Sequence, residues 1–345
     1  MDTILFLGHT EPDGSLAKAG LEALGVAVRL RDSLTGSRLI VGLIGETVQL
    51  AADHTATCGA ARFLAVSGAD FGTGRYASDA AAAAALVQAA GATMVVAVGT
   101  SRFLRCLPGA AQRVGGRADT HVTSLAVDAG KVTVNRWYYR QRMEAVFTRI
   151  QRPWFILVDP GSQPAWSGAS GSAMVETAAV TLPDTAKRTM VTGIREPAAD
   201  AQTIRPYAAL LFVAGAGWTK KQADGQTHVP EAERLIAQFL RLTRASLGSS
   251  KSLVDLGGEG QAVLSFLSHL NQIGQTGATP RHPKGLSTCC HGEEPHTVGW
   301  RFIGERRAIS LDPNCGWARG KADVLYVADA FKVVEKMNAL LTAGG

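Results

Sequence analysis

Two glycines bracket an amide and a hydroxyl in Ile273-Gly274-Gln275-Thr276-Gly277, the segment of this chain best suited to close approach by a ligand. Glycine lets backbone reach contact distance of a bound group, and Gln275 and Thr276 can hydrogen-bond it. That is the chemistry of a loop that holds an organic cofactor. Upstream, Gly215-Ala216-Gly217-Trp218-Thr219 follows the apolar run from Ala208 to Ala214. A glycine turn where a parallel strand feeds a helix aims amide groups and the helix dipole at a phosphate, although such turns also serve as plain strand-to-helix geometry. Between these two, Gly248-Ser249-Ser250-Lys251 reads as a helix-to-strand loop before Leu253-Val254-Asp255. It sets a hydroxyl beside a cation, a pairing that suits a pyrophosphate.

Other reactive side chains carry less. Cys289, Cys290, His291 and Cys315 are legitimate metal ligands by type, but adjacent cysteines on a strand point to opposite faces and lack the spacing that wraps a metal. They read as buried, inert thiols. Trp137, Tyr138, Tyr139 and Trp154 lie among Arg136, Arg140 and Arg142, the residue types enriched at subunit interfaces.

The elements that must position these groups follow from the apolar pattern. Strand-like runs alternate with helix-like ones: Ile4 to Gly8 then Ser15 to Leu24, Leu39 to Ile44 then Glu46 to Asp53, Phe63 to Val66 then Tyr76 to Ala90, and Met94 to Val98 then Arg102 to Val114. Short buried strands each followed by a helix imply right-handed crossovers and a parallel, doubly wound sheet. The alanine run from Ala80 to Ala85 is a helix that packs closely on that sheet. From Thr120 to Val180 the pattern turns to alternating strands, with Val132-Thr133-Val134, Trp137-Tyr138-Tyr139 and Trp154 to Val158. Arg195-Glu196-Pro197-Ala198-Ala199-Asp200 is polar and aperiodic, a natural linker. Beyond it, a strand from Ala208 to Ala214 and a helix from Pro230 to Leu247 open a second α/β region.

A chain of 345 residues exceeds the size at which one core stays single. With 46% hydrophobic and 19% charged residues it is globular, and a formal charge of +6 is too dispersed for nucleic acid, pointing instead to an anionic cofactor or a protein partner. Five cysteines without framework spacing, no signal-like opening and no long apolar run together predict a cytoplasmic protein with no membrane span.

Taken in order, the loops at 215–219, 250–251 and 274–277 resemble the carboxyl-terminal flavin domain of the electron transfer flavoprotein alpha subunit family. The tail extends the resemblance. Lys321-Ala322-Asp323 and Val327-Ala328-Asp329-Ala330 are similar to the family's closing Ala-Asp loop and final helix, and the first half is similar to its first domain. The resemblance implies a Rossmann-like parallel-sheet domain over 1–195 that packs on a partner, then a second, flavodoxin/DHS-like flavin-binding α/β domain over 205–345. It further implies an FAD-carrying subunit that pairs with a beta-type subunit and takes electrons from a flavoprotein dehydrogenase. The implied cofactor contacts are Gly215, Gly217, Trp218, Thr219, Ser250, Lys251, Ile273, Gly274, Gln275, Thr276, Gly277, Glu293, His296, Asp312 and Asp323.

Departures from the family pattern are specific. Gly217 and Lys251 stand where the family has arginines, and a planar guanidinium is not replaced by hydrogen or an ammonium without changing phosphate contacts. Cys289 to Thr297 replaces a Ser-Gly-Ala-Ile-Gln-His loop, with Glu293 and Glu294 bringing negative charge; His296 is the nearest residue to the family's flavin-facing histidine, though strict counting gives Val298. An alternative expectation is therefore a cofactor-poor structural or assembly subunit of a dehydrogenase–flavoprotein complex. A universal-stress-like nucleotide module is disfavoured, since the first-half strand ends lack a phosphate-cradling glycine cluster.

Overall fold

Continuous apolar runs of five to eight residues are what a sheet covered on both faces requires, and the strands Thr3–His9, Arg38–Gly45 and Met94–Val98 are buried along nearly their whole length. A computed structural model describes residues 2–138, 143–193, 205, 208–256, 262–273, 282–288, 303–315 and 322–344. The chain divides into two compact units, Met1–Ile194 and Arg195–Gly345.

In the first unit the order is β1 (Thr3–His9), α1 (Lys18–Ser33), β2 (Arg38–Gly45), α2 (Gln49–His54), β3 (Arg62–Ser67), α3 (Ala69–Gly72), α4 (Tyr76–Ala90), β4 (Met94–Val98) and α5 (Ser101–Arg113). Then come β5 (Arg117–Asp128), β6 (Lys131–Tyr138), β7 (Met143–Phe147), β8 (Trp154–Val158) and β9 (Val175–Thr177). They form one nine-stranded sheet in the order β7-β6-β5-β8-β4-β1-β2-β3-β9. Seven strands from β5 to β9 across this order run parallel, while β6 and β7 add antiparallel to β5. The doubly wound parallel sheet expected from the alternation is present; of the region read as alternating strands, β6 and β7 form an antiparallel margin, whereas Trp154–Val158 is a fully buried parallel strand between β4 and β5. Val132-Thr133-Val134 and Trp137-Tyr138 turn out to belong to one strand, Lys131–Tyr138, which pairs with β5 on one side and β7 on the other. Helix α4 buries Ala80, Ala82 and Ala83 completely, as the alanine run predicts. It ends at Gly91 in the left-handed conformation that glycine adopts without a Cβ clash.

The second unit carries β10 (Leu210–Ala214), α6 (Val229–Thr243), β11 (Ser246–Ser249), α7 (Lys251–Asp255), β12 (His282–Thr288), β13 (Ile303–Ser310), β14 (Val324–Val327) and α8 (Ala330–Ala343). Its five strands are all parallel in the order β11-β10-β12-β13-β14. That is the flavodoxin-like order, in which the second strand lies outside the first. Alternation along β10 sends Phe212 and Ala214 to a core with Trp218, Ile236, Phe239 and Phe331, and Leu211 and Val213 to the other face with Ile273 and Ile303.

One boundary differs from expectation. The helix expected to reach Leu247 stops at Thr243, because Arg244 takes the left-handed conformation (φ 53°) and breaks the helical hydrogen-bond series. Residues Ser246–Ser249 then form a strand, with Leu247 paired to Phe212. Gly248 to Lys251 is consequently a strand-to-helix junction, and Leu253-Val254-Asp255 is helical rather than extended. The interdomain segment at 195–200 lies outside the described residues.

Candidate functional site

Parallel strands put all their carboxyl ends on one edge, and ligands of open α/β sheets sit there, at the point where strand order reverses. In the second unit the reversal falls between β10 and β12. Backbone hydrogen bonds tie three loops together at that edge. The Ser250 amide donates to the Ala214 carbonyl at 2.9 Å, the Gly215 amide to the Thr288 carbonyl at 3.1 Å, and the Ile273 amide to the Ser249 carbonyl at 3.0 Å. Thus the glycine turn, the Ser-Lys junction and the residue leading into 274–277 are neighbours, although 58 residues separate Gly215 from Ile273 in sequence.

Most side chains at this edge are occupied within the fold, although the buried Ser249 hydroxyl has no hydrogen-bond partner among the described residues. Ser250 is fully buried, and its hydroxyl accepts from the Leu253 amide at 3.2 Å as the N-cap of α7. Lys251 is exposed and ion-paired with Asp255, which also meets His269 at 3.1 Å. Hydrogen bonds from Lys251 lead the forces that hold the Asp255 carboxyl below its usual range. Trp218 is fully buried, lies 4.5 Å from the Phe331 ring, and donates its indole N–H to Thr288 at 2.8 Å. Its side chain is a core group, so the turn Gly215–Thr219 meets the edge through its backbone and through Gly217, which has no side chain. Thr219 is likewise buried, its hydroxyl donating to the Ala216 carbonyl at 3.2 Å. Ile273 is buried against Gly248, where a Cβ would come within 2.8 Å of the isoleucine side chain. Asp312 sits at the same edge, just past β13, and its carboxylate accepts from the Asn314 amide at 2.8 Å.

Asp323 is elsewhere. It precedes β14 at the amino side, where its carboxylate accepts from the Arg306 amide at 2.7 Å and pairs with the Arg306 guanidinium at 3.1 Å. The Asp at the carboxyl edge is Asp329, the N-cap of α8, which accepts from the Phe331 amide at 2.9 Å. An Asp one residue before a helical run is a sequence signal that identifies this cap. Gly274, Gln275, Thr276, Gly277, Glu293 and His296 lie outside the described residues, as do Cys289, Cys290 and His291.

The first unit has its own reversal, between β1 and β4. There the His9 ring nitrogen Nε2 lies 3.0 Å from the Thr100 hydroxyl, and the ring stands edge-on to Phe103 at 4.9 Å. Burial, aided by the positive charge of Arg102, pushes the His9 pKa down to about 4, so the ring is neutral at pH 7. Arg102 is itself paired in a fork with Asp79 at 2.7 Å and 3.0 Å. Sequence reasoning passed over this crevice because it lacks a glycine cluster, although Thr100 before the Ser101–Arg113 helix is a recognisable N-cap.

A second polar centre lies at the junction of the parallel and antiparallel parts of the sheet. Fully buried Asp119 accepts hydrogen bonds from Arg149, from Arg136 at 3.1 Å and from the Trp154 indole at 2.9 Å. Burial alone would raise this carboxyl, but those hydrogen bonds and the two positive charges hold it below its usual range. Trp154 is therefore a core residue, which removes it from the interface set, whereas Tyr138 is exposed and stacks under the Arg136 guanidinium at 4.3 Å. Tyr139, Arg140 and Arg142 lie outside the described residues.

Cys58, Cys106 and Cys315 are buried, and burial, with Asp79 nearby, pushes the Cys106 thiol up to about 12. Among the described residues no group of His, Cys, Asp or Glu could hold a metal ion, and no helix is long and apolar enough to cross a membrane.

No curated protein matches the chain. Residues 4–183 match the electron transfer flavoprotein domain, a stretch that occupies more than half of the chain and falls within the first unit. The resemblance read from the sequence was carried by the other half, so the two observations bear on different units. The chain belongs to the electron transfer flavoprotein family.

Proposed function

We propose that this chain is an alpha-type subunit that carries electrons through FAD held at the carboxyl edge of its second unit. In this reading it pairs with a beta-type subunit and accepts electrons from a flavoprotein dehydrogenase. The observation that carries the proposal is the convergence of the 215–219 turn, the Ser250-Lys251 junction and Ile273 on the reversal point of a flavodoxin-ordered sheet.

The fit to a dinucleotide is one of backbone more than of side chains. Gly215 to Thr219 would admit a phosphate by close backbone approach, Lys251 would offer its charge after leaving Asp255, and Ile273 would present the 274–277 turn. Asp312 would lie beside the nucleoside end, while Asp323, held by Arg306, is on the opposite edge and is dropped from the contact set. Bound FAD would supply the one- and two-electron chemistry; the protein binds, orients and shields it.

The test is the visible spectrum and released nucleotide of the full chain purified with a beta-type partner. Flavin absorption with FAD in equal amount to the complex is the expected result, and a colourless complex that takes up no added FAD overturns it. A second reading is favoured by the internal occupation of Ser250 and Trp218: a subunit that keeps the fold without the cofactor. That reading is supported by a stable complex with the partner that remains colourless.

A further inference from the structure

The geometry points to a second anion-binding site, a groove at the amino edge of the second unit's sheet that takes a small molecule bearing two or more phosphates. A cavity of about 620 Å³ there is lined by four arginines, Arg205, Arg234, Arg241 and Arg244, with Gln238 among them. The volume falls within the range of small-ligand clefts, from roughly 300 to 1,000 Å³.

Three features make this more than a solvated basic surface. First, Arg234, Gln238 and Arg241 occupy positions i, i+4 and i+7 of α6, so they share one helix face. Attraction of cations to the carboxyl end of a helix dipole accounts for Arg241 and Arg244. It accounts for neither Arg234, in the middle of the helix, nor Arg205, which comes from another segment. Second, the backbone holds the groove's ends. Arg205 is clamped on both sides of its peptide by Ser246, whose hydroxyl accepts from its amide and donates to its carbonyl, each at 2.8 Å. Buried His282 lies 3.0 Å from the same carbonyl and 2.9 Å from the Ser246 hydroxyl. Arg244 is held in a left-handed conformation that non-glycine residues rarely adopt. Third, among the described residues no carboxylate ion-pairs with any of the four, whereas Arg102, Arg136 and Arg149 of the first unit each have one. Like charges gathered without a counter-charge repel one another, and an anion that spans the groove relieves that repulsion.

Arginine selects the ligand. The planar guanidinium presents a fork of donors matched to phosphate oxygens, and several forks on one groove favour adjoining phosphates over an isolated anion. The shared chemistry is a di- or triphosphate chain, free or as part of a nucleotide. The site lies on the edge opposite Gly215 and Ser250, so it stands apart from the flavin reading.

The test is calorimetric titration of the full chain with inorganic triphosphate and, separately, with a nucleoside triphosphate at low ionic strength. Saturable binding of one equivalent is expected, weakened at least about tenfold in the Arg234→Gln/Arg241→Gln variant and falling steeply with added salt. Equal affinity for both probes shows that the groove reads phosphate alone; tighter nucleotide binding, equally lost in the variant, shows a base contact as well. No saturable heat with either probe overturns the proposal, as does binding that the variant retains in full. The variant's far-ultraviolet circular dichroism and denaturant midpoint separate loss of the site from loss of the fold.

Discussion

Two groups of arginines distinguish the units. In the first, Arg136 and Arg149 converge on one fully buried carboxylate, Asp119, and Arg102 is matched in the same way by Asp79. In the second, Arg205, Arg234, Arg241 and Arg244 line one cavity with no carboxylate paired to them among the described residues. The first arrangement is closed in that each guanidinium is paired with a carboxylate inside the fold, and it marks the junction between β5, β8 and the antiparallel strands. The second is open among the described residues, and an anion from outside would balance it. An arginine therefore informs on function through its partner more than through its presence.

Breaking the closed group should give the largest effect. Asp119→Asn keeps the shape but leaves two guanidiniums facing a neutral amide, and removing one partner of a buried pair costs about 3–5 kcal/mol. Hydrogen-exchange protection of the β8 amides reads the first unit by itself and should fall accordingly. A loss below about 1 kcal/mol would mean that solvent already neutralises Arg136 and Arg149, and the contrast between the groups would collapse.

How much of this was legible in the residues depends on the range of the forces involved. The strand–helix alternation of the first half was legible because continuous burial forces apolar runs, and β1 to α5 lie where those runs are. The strand Ser246–Ser249 was not, since a four-residue strand of serine, leucine and glycine has no pattern of its own and is fixed by pairing with β10. At the candidate site the glycine turn and the Ser-Lys junction showed in sequence, but the occupations of their side chains did not. Trp218 is claimed by Thr288, seventy residues away, and Ser250 by the first turn of α7. The Asp119 group was invisible because no local spacing relates its members; in the arginine groove the spacing of Arg234 and Arg241 on α6 was legible, but their meeting with Arg205 was not.

His9 tests the same internal balance through pH. Its folded pKa, about 4, lies below the ordinary 6.5, so the folded state favours the neutral ring while the unfolded chain takes up a proton more readily. The stability this contributes is fully present above pH 6.5 and is lost progressively between 6.5 and about 4, by up to roughly 3 kcal/mol. His9→Gln, which keeps an amide near Thr100, should flatten that part of the stability–pH curve. An unchanged slope would assign the acid sensitivity to other groups.

The smallest effect is expected where the comparison is sharpest. Arg234→Gln/Arg241→Gln removes two charges from the open groove, and surface charges without a partner contribute within about 0.5 kcal/mol of nothing. With no anion present the variant should match the native chain in denaturant midpoint or exceed it slightly, since mutual repulsion is relieved. Adding inorganic triphosphate should then raise the midpoint of the native chain and leave that of the variant where it was, because a ligand stabilises only the fold that binds it. If the variant were instead destabilised without ligand as strongly as Asp119→Asn, the groove's arginines would belong to the fold after all, and the two groups would differ in exposure but not in role.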